Sequence, residues 1–279
     1  MFALIAIMLT VALGVAAPSV SRDRTFALQN GTARTQGRLV AKEIGASALD
    51  QRLDLWLTQG SAQPLHRYDV DMTKYLHLIA VSDDLTTFLH VHPHLDAAGH
   101  FHVDVHFPSE GLYHVYADSE PSGIGQQVFR YDLQVGSSRS RVRDLTPTGS
   151  EVSIGPYRVS LSTTHLRAAA ESRLTVRITE HGAPADDLHP YLGALAHAVL
   201  INTNDLSYAH VHPMQLAQTA SDMPDTMPGM MKPPLAPAQT SSPDMMLHEN
   251  VPEAGTFKIW LQFRGGNRLY VAPFVLTAE

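Results

Sequence analysis

The residues best equipped for chemistry in this chain are histidines that recur at one spacing. His90-Val91-His92-Pro93 returns as His210-Val211-His212-Pro213. In an extended strand, side chains two residues apart point to the same face, so each copy presents two imidazoles together and turns its valine the other way. Proline lacks the amide hydrogen a ladder needs, so Pro93 and Pro213 are expected to end their strands and leave the histidines at a rim open to solvent. Thirteen residues before each motif stands another histidine, His77 ahead of His90 and His197 ahead of His210. A hairpin centred on Asp84 and Leu85 would set His77 opposite His92 and Ile79 opposite His90, bringing three rings to one face; a one-residue slip would break the set. Three neutral imidazoles suit zinc, copper, nickel or iron and leave a coordination position free. The spacing therefore predicts two metal sites, His77 with His90 and His92, and His197 with His210 and His212.

Weaker donors accompany them. His100, His102 and His106 fall on one face of a regular strand, with His94 and His114 nearby, but Asn250 and Lys258 stand at the second-copy positions of His106 and His114. These extra histidines read as solvated surface residues or as a weaker metal patch. His248 falls beside the position of Asp104. Between Pro213 and Gly255 the second copy is 24 residues longer than the first, and the added stretch is rich in Pro, Ser and Met: Met223, Met227, Met230, Met231, Met245 and Met246, with Met214 just before it. Proline at this density opposes helix and strand, so a loop is expected. Thioethers are soft donors that favour Cu(I), which makes the loop a candidate for copper capture, against the plainer reading of a biased insertion or partner-contact surface.

The elements that must position these side chains are short strands. Leu53, Leu55 and Leu57 alternate with polar residues before the Gln59-Gly60-Ser61 turn. Leu76 to Val81, Thr87 to His92, Phe101 to Phe107, Gly111 to Ala117 and Val128 to Val135 follow, with turn residues every eight to twelve positions and no sustained helical period. After a Gly136 to Arg141 linker the pattern restarts: Arg173 to Thr179 parallels Arg52 to Thr58, and His197 to Leu200 parallels His77 to Ala80. An internal duplication accounts for this. The expected fold is all-β, two tandem antiparallel β-sandwich modules. Residues 50–138 and 148–279 form the modules, joined by a linker at 139–147, with the Met/Pro-rich insertion at 214–246. Residues 1–20 read as a signal peptide or short anchor, and 21–49 as a polar tether with a weakly helical piece at Leu39 to Leu49.

The runs Leu76-His77-Leu78-Ile79, Phe88-Leu89-His90-Val91-His92-Pro93 and Pro190-Tyr191-Leu192-Gly193-Ala194, continuing through His197 to Pro213, resemble a largely uncharacterised family of bacterial secreted proteins with tandem immunoglobulin-like modules. The resemblance covers about residues 50–279 and implies a fold and an extracytoplasmic location rather than an activity.

Composition narrows the function classes. The chain has no cysteine, which removes disulfides, thiolate zinc sites and iron–sulfur clusters, so any metal must be held by His, Met, Asp or Glu. A net charge of -7 offers no basic stripe for nucleic acid. Phe2 to Ala17 is uncharged and has the length of a signal-peptide apolar region, so a secreted or periplasmic location is expected, with membrane attachment only if this segment stays uncleaved. Nucleophile elbows, phosphate-binding glycine loops and His-Glu-Xaa-Xaa-His helices are missing, so binding is expected rather than catalysis. The expectation is a transition-metal protein for buffering or delivery, copper ahead of zinc, its partners the ion and another extracytoplasmic protein. The rivals are an adhesion sandwich that binds protein or glycan without metal, and a copper-dependent oxidase or monooxygenase.

Overall fold

The strand Leu76–Ser82 is buried at every position. A strand in a sheet with one wet face alternates, so this one must be covered on both sides. Two separate cores cover it. Leu78 and Ala80 pack with Leu53, Leu55, Leu57, Phe101 and Val115 inside the first module. Ile79 and Val81 point the other way and join Tyr116, Val199, Ile201, Tyr208 and Trp260 in a cluster drawn from both modules. His77 shares the Ile79 parity and therefore lies on the face between the modules.

The structure is a computed structural model that describes residues 34–216 except 140, 141, 144 and 147, together with 235, 236 and 239–279. None of the described residues is helical. Each module is two sheets face to face. In the first, Gln36–Glu43, Asp50–Thr58, Phe101–His106 and His94–Leu95 form one sheet; Tyr68–Asp69, Gly111–Pro121, Leu76–Ser82 and Phe88–Val91 form the other, with Gln127–Val135 pairing Gly111–Pro121. In the second, Ala170–Glu180 and Asp244–Val251 are central to one sheet, and Arg268–Ala278, Gly255–Gly265, His197–Asn202 and Tyr208–Val211 run in order through the other. The all-β tandem sandwich is as expected. Pairing is antiparallel except where His165–Leu166 lies parallel to Arg268–Ala278.

Three element assignments change. Gln36–Glu43 is a strand, paired residue by residue with Asp50–Thr58, so the first module starts within the presumed tether and Leu39 to Leu49 holds no helix. Only Leu39 of that strand is buried. Its polar, edge-strand composition hid the alternation that identifies a strand. At the other end, Met245 lies fully buried in the second core within Asp244–Val251, and Met214 pairs with Met246, so these three methionines belong to strands rather than to a loop. Met223, Met227, Met230 and Met231 lie outside the described residues.

Aromatic stacks lock the modules together. Phe88 stacks on Trp260 with centroids 5.3 Å apart, and Tyr116 on Tyr208 at 4.8 Å. The pairing registers make Phe88 equivalent to Tyr208 and Tyr116 to Trp260, so the two stacks are related by an approximate twofold. Arg143 in the linker bridges them again, donating to the carbonyl of Asp83 in one module and of Thr203 in the other, both at 2.6 Å.

Candidate metal centre

The hairpin register is the one the spacing predicts. Ile79 lies opposite His90 and Leu78 opposite Val91; in the second module Val199 lies opposite His210 and Ala198 opposite Val211. The strands end at Val91 and Val211, two residues before each proline. Val91 and Val211 pack into the module cores, which sends the flanking histidines to the opposite face. There His77 Nδ1 is 3.1 Å from His90 Nε2, and His92 Nε2 is 3.2 Å from His90 Nε2. His197 Nδ1 stands 3.1 Å from His210 Nε2, with the His212 ring 4.6 Å from that of His210.

The rim is only partly open, because that face is where the modules meet: His90, His92, His210 and His212 are half-buried. His77 and His197 are each 1% exposed. The two sets are also not separate. Ring centroids of His77 and His210 are 4.9 Å apart and those of His90 and His210 are 5.3 Å apart, across the module boundary. One nitrogen each from His77, His90, His197 and His210 lies within 4.8 Å of the others. His92 and His212 flank this group, so six histidines form one interior cluster. Asp71 joins His210 and His212 in a further close group.

Fixed partners decide which nitrogens face inward. His77 Nε2 donates to the Asp71 carbonyl at 3.1 Å and His197 Nε2 to the Tyr191 carbonyl at 2.9 Å, so both rings turn a bare Nδ1 to the cluster. Each carbonyl sits in a tight turn, Asp71 to Lys74 and Tyr191 to Ala194, closed by paired backbone hydrogen bonds. His90 Nδ1 donates to Gln262 Oε1 of the other module at 2.8 Å, leaving Nε2 as its inward lone pair. Gln262 pairs with His197 as Asp118 pairs with His77, and Asp118 in turn approaches His210 Nδ1 of the other module at 3.9 Å. Gln262 thus orients His90 across the module boundary, whereas Asp118 stands near His210 without a hydrogen bond to it. Sequence reasoning missed Gln262 and Asp118; the only trace was one polar side chain within Ile259 to Phe263 and a charged one closing Val115 to Asp118.

The donor set fits a metal. With both tautomers fixed, His77 Nδ1 and His90 Nε2 meet lone pair to lone pair, a repulsive contact that a shared cation reverses. At metal–nitrogen bonds of about 2.0 Å, nitrogens 3.1 Å apart subtend an angle of roughly 100° at the ion, near tetrahedral. His212 Nε2 and His210 Nδ1 are buried without a hydrogen-bond partner among the described residues.

Electrostatics keep the rings neutral. Burial first, then repulsion from neighbouring rings, holds His90, His197 and His210 well below the ordinary histidine range, and pushes His92 and His212 down to about 3. His77 is lowered by burial against the upward pull of Asp71. Burial raises Asp118 to about 7. Neutral imidazole is the ligating form, so a metal has no proton to displace.

The weaker candidates scatter. His100 and His102 come together with Asp54 on the outer sheet face, whereas His106, farther along the same face, is exposed and pairs with Asp50 at 2.6 Å. His94 lies opposite His102. His114 is not a surface histidine: it is buried between Asp132 at 2.7 Å and Asp83 at 3.0 Å, beside the Arg143 linker contact. His248 pairs with Glu171 at 3.1 Å.

Among solved structures, the chain is similar to the crystal structure of a Salmonella alpha-2-macroglobulin mutant, at 13% identity over 91% of this chain and 15% of that one, with a TM-score of 0.24. It is also similar to a glycosyl hydrolase family 2 member from Bacteroides cellulosilyticus, at 10% identity over 85% of this chain and 24% of that one, with a TM-score of 0.23. The chain thus spans under a quarter of either protein, and such likenesses carry no functional inference. No curated protein matches it. A family match runs over residues 36–136 and 151–279, the same two segments that fold as the sandwiches around the histidine cluster, and by that match the chain belongs to the family described as Domain of unknown function (DUF8832).

Proposed function

We propose that this protein is an extracytoplasmic transition-metal binding protein that holds its ion in the histidine cluster between the two modules. The observation that carries the reading is the convergence of His77, His90, His197 and His210 from two modules to within 4.8 Å, nitrogen to nitrogen. A scaffold needs no such convergence of neutral donors. Copper stands ahead of zinc because an all-imidazole set binds Cu(II) most strongly among the divalent first-row metals and also accommodates Cu(I). Either ion would be held by these imidazoles with Gln262 and the carbonyls of Asp71 and Tyr191 fixing the rings. The role is binding, buffering or delivery, and the burial of the cluster favours retention. The extracytoplasmic location rests on the apolar Phe2 to Ala17 segment.

The test is titration of the metal-free protein with Cu(I), Cu(II) and Zn(II), beside a His90→Ala/His92→Ala variant. The wild type should bind at least 100-fold more tightly at the interior site. Equal, weak binding by two folded proteins would sink the proposal.

A further inference from the structure

The outer face of the first module carries a second donor set, built apart from the interior cluster. Asp54 and His102 are cross-strand neighbours, and one ligand atom each from Asp54, His100 and His102 lies within 4.8 Å of the others. Asp54 Oδ1 is 2.9 Å from His100 Nδ1 and 3.6 Å from His102 Nδ1. The site is held in shape. The His100 ring stacks on Trp56, centroids 4.7 Å apart and planes 16° apart. His102 Nε2 donates to Asp96 Oδ2 at 2.8 Å, and Asp96 is itself fixed by accepting the amides of Ala98 and His100. That leaves His102 Nδ1 as a bare nitrogen facing Asp54, oriented as metal-bound histidines are.

The duplication supplies a control. In the second module Thr175 pairs with Met246 at the positions of Asp54 and His102, and an Arg177–Asp244 ion pair stands where Trp56 stacks on His100. The same sheet forms without these histidines, so the fold does not require them.

We propose that Asp54, His100 and His102 form a second transition-metal site, open to solvent and selective for divalent Zn(II) or Cu(II) over Cu(I). Two imidazoles and a carboxylate are a harder donor set than the interior six histidines, which disfavours the soft monovalent ion. With side-chain exposures of 26% for His100, 36% for His102 and 33% for Asp54, the ion keeps water in its remaining positions and exchanges freely.

Full-length protein titrated with Zn(II) should lose one equivalent of weaker binding on His100→Ala/His102→Ala and keep the interior equivalent. His90→Ala/His92→Ala should do the reverse, so failure at one site is distinguishable from failure at the other. The chain's two tryptophans give a second readout. Cu(II) should quench the half-exposed Trp56, isolated in a Trp260→Phe variant or as the difference between wild type and Trp56→Phe, and the quenching should vanish with His100 and His102. Unchanged Zn(II) stoichiometry, or Trp56 quenching that survives loss of both histidines, would overturn the site.

Discussion

His90 turns Nε2 to the cluster because a residue of the opposite module stands behind it. Gln262 accepts from His90 Nδ1 at 2.8 Å, while Asp118 faces His210 from 3.9 Å. Partners of this kind usually set metal affinity by 10–100-fold. Gln262→Leu, which keeps the volume and removes the acceptor, should therefore weaken binding by about that factor, read by competition against a chelator. A change below twofold would show that His90 needs no orienter. Acid should act on the same rings. Their pKa values in the folded protein lie below the unfolded value of about 6.5, so as pH falls the unfolded chain takes up protons first. The metal-free protein should hold full stability above that pH and lose it toward pH 3, where His92 and His212 titrate, by up to about 1.4 kcal/mol per pH unit for each histidine. Urea midpoints that stay level between pH 7 and 4 would contradict this. The six histidines were legible because spacing alone fixes their faces. Gln262 and Asp118 were not, because their role depends on a contact between modules about 170 and 90 residues apart in sequence, which no periodicity within one strand encodes.

At the level of elements, the hairpins were readable because a turn centred on Asp84 and Leu85, and its counterpart in the second module, sets the three histidines of each set on one face. The Gln36–Glu43 strand was not, since an edge strand with one buried side chain has no alternation to detect. Met245 was misread because local composition looked like a loop while its strand partner, Val176, is remote. Facing, not composition, should therefore govern function. Exchanging two residues, Val91→His with His92→Val, keeps the histidine count but turns one ring into the first core. Binding should fall as far as it does on removing His92, and stability should drop by about 1–3 kcal/mol for the buried polar ring. Calorimetric titration and thermal unfolding check both; binding like the wild type would mean that histidine number alone matters.

Over the whole molecule, the ion would sit where the modules join, beside the Phe88–Trp260 and Tyr116–Tyr208 stacks, so binding and docking are one equilibrium. Metal at 100 times its Kd should raise unfolding stability by about 2.7 kcal/mol, and chelation should reverse the gain. If the unfolding temperature does not move while stoichiometric metal binds, the ion is held elsewhere. That the modules pack face to face could not be seen in sequence: the apolar run of Leu78 to Val81 announces a strand covered on both faces but does not name what covers it. The approximate twofold has a further consequence. Equivalent residues cross it in both directions, as in a symmetric dimer of identical subunits. Here a tether makes the same union internal, at an effective concentration in the millimolar range for a short linker. A site shared by two free subunits would come apart on dilution; this one should be as complete in a single molecule as in a concentrated solution.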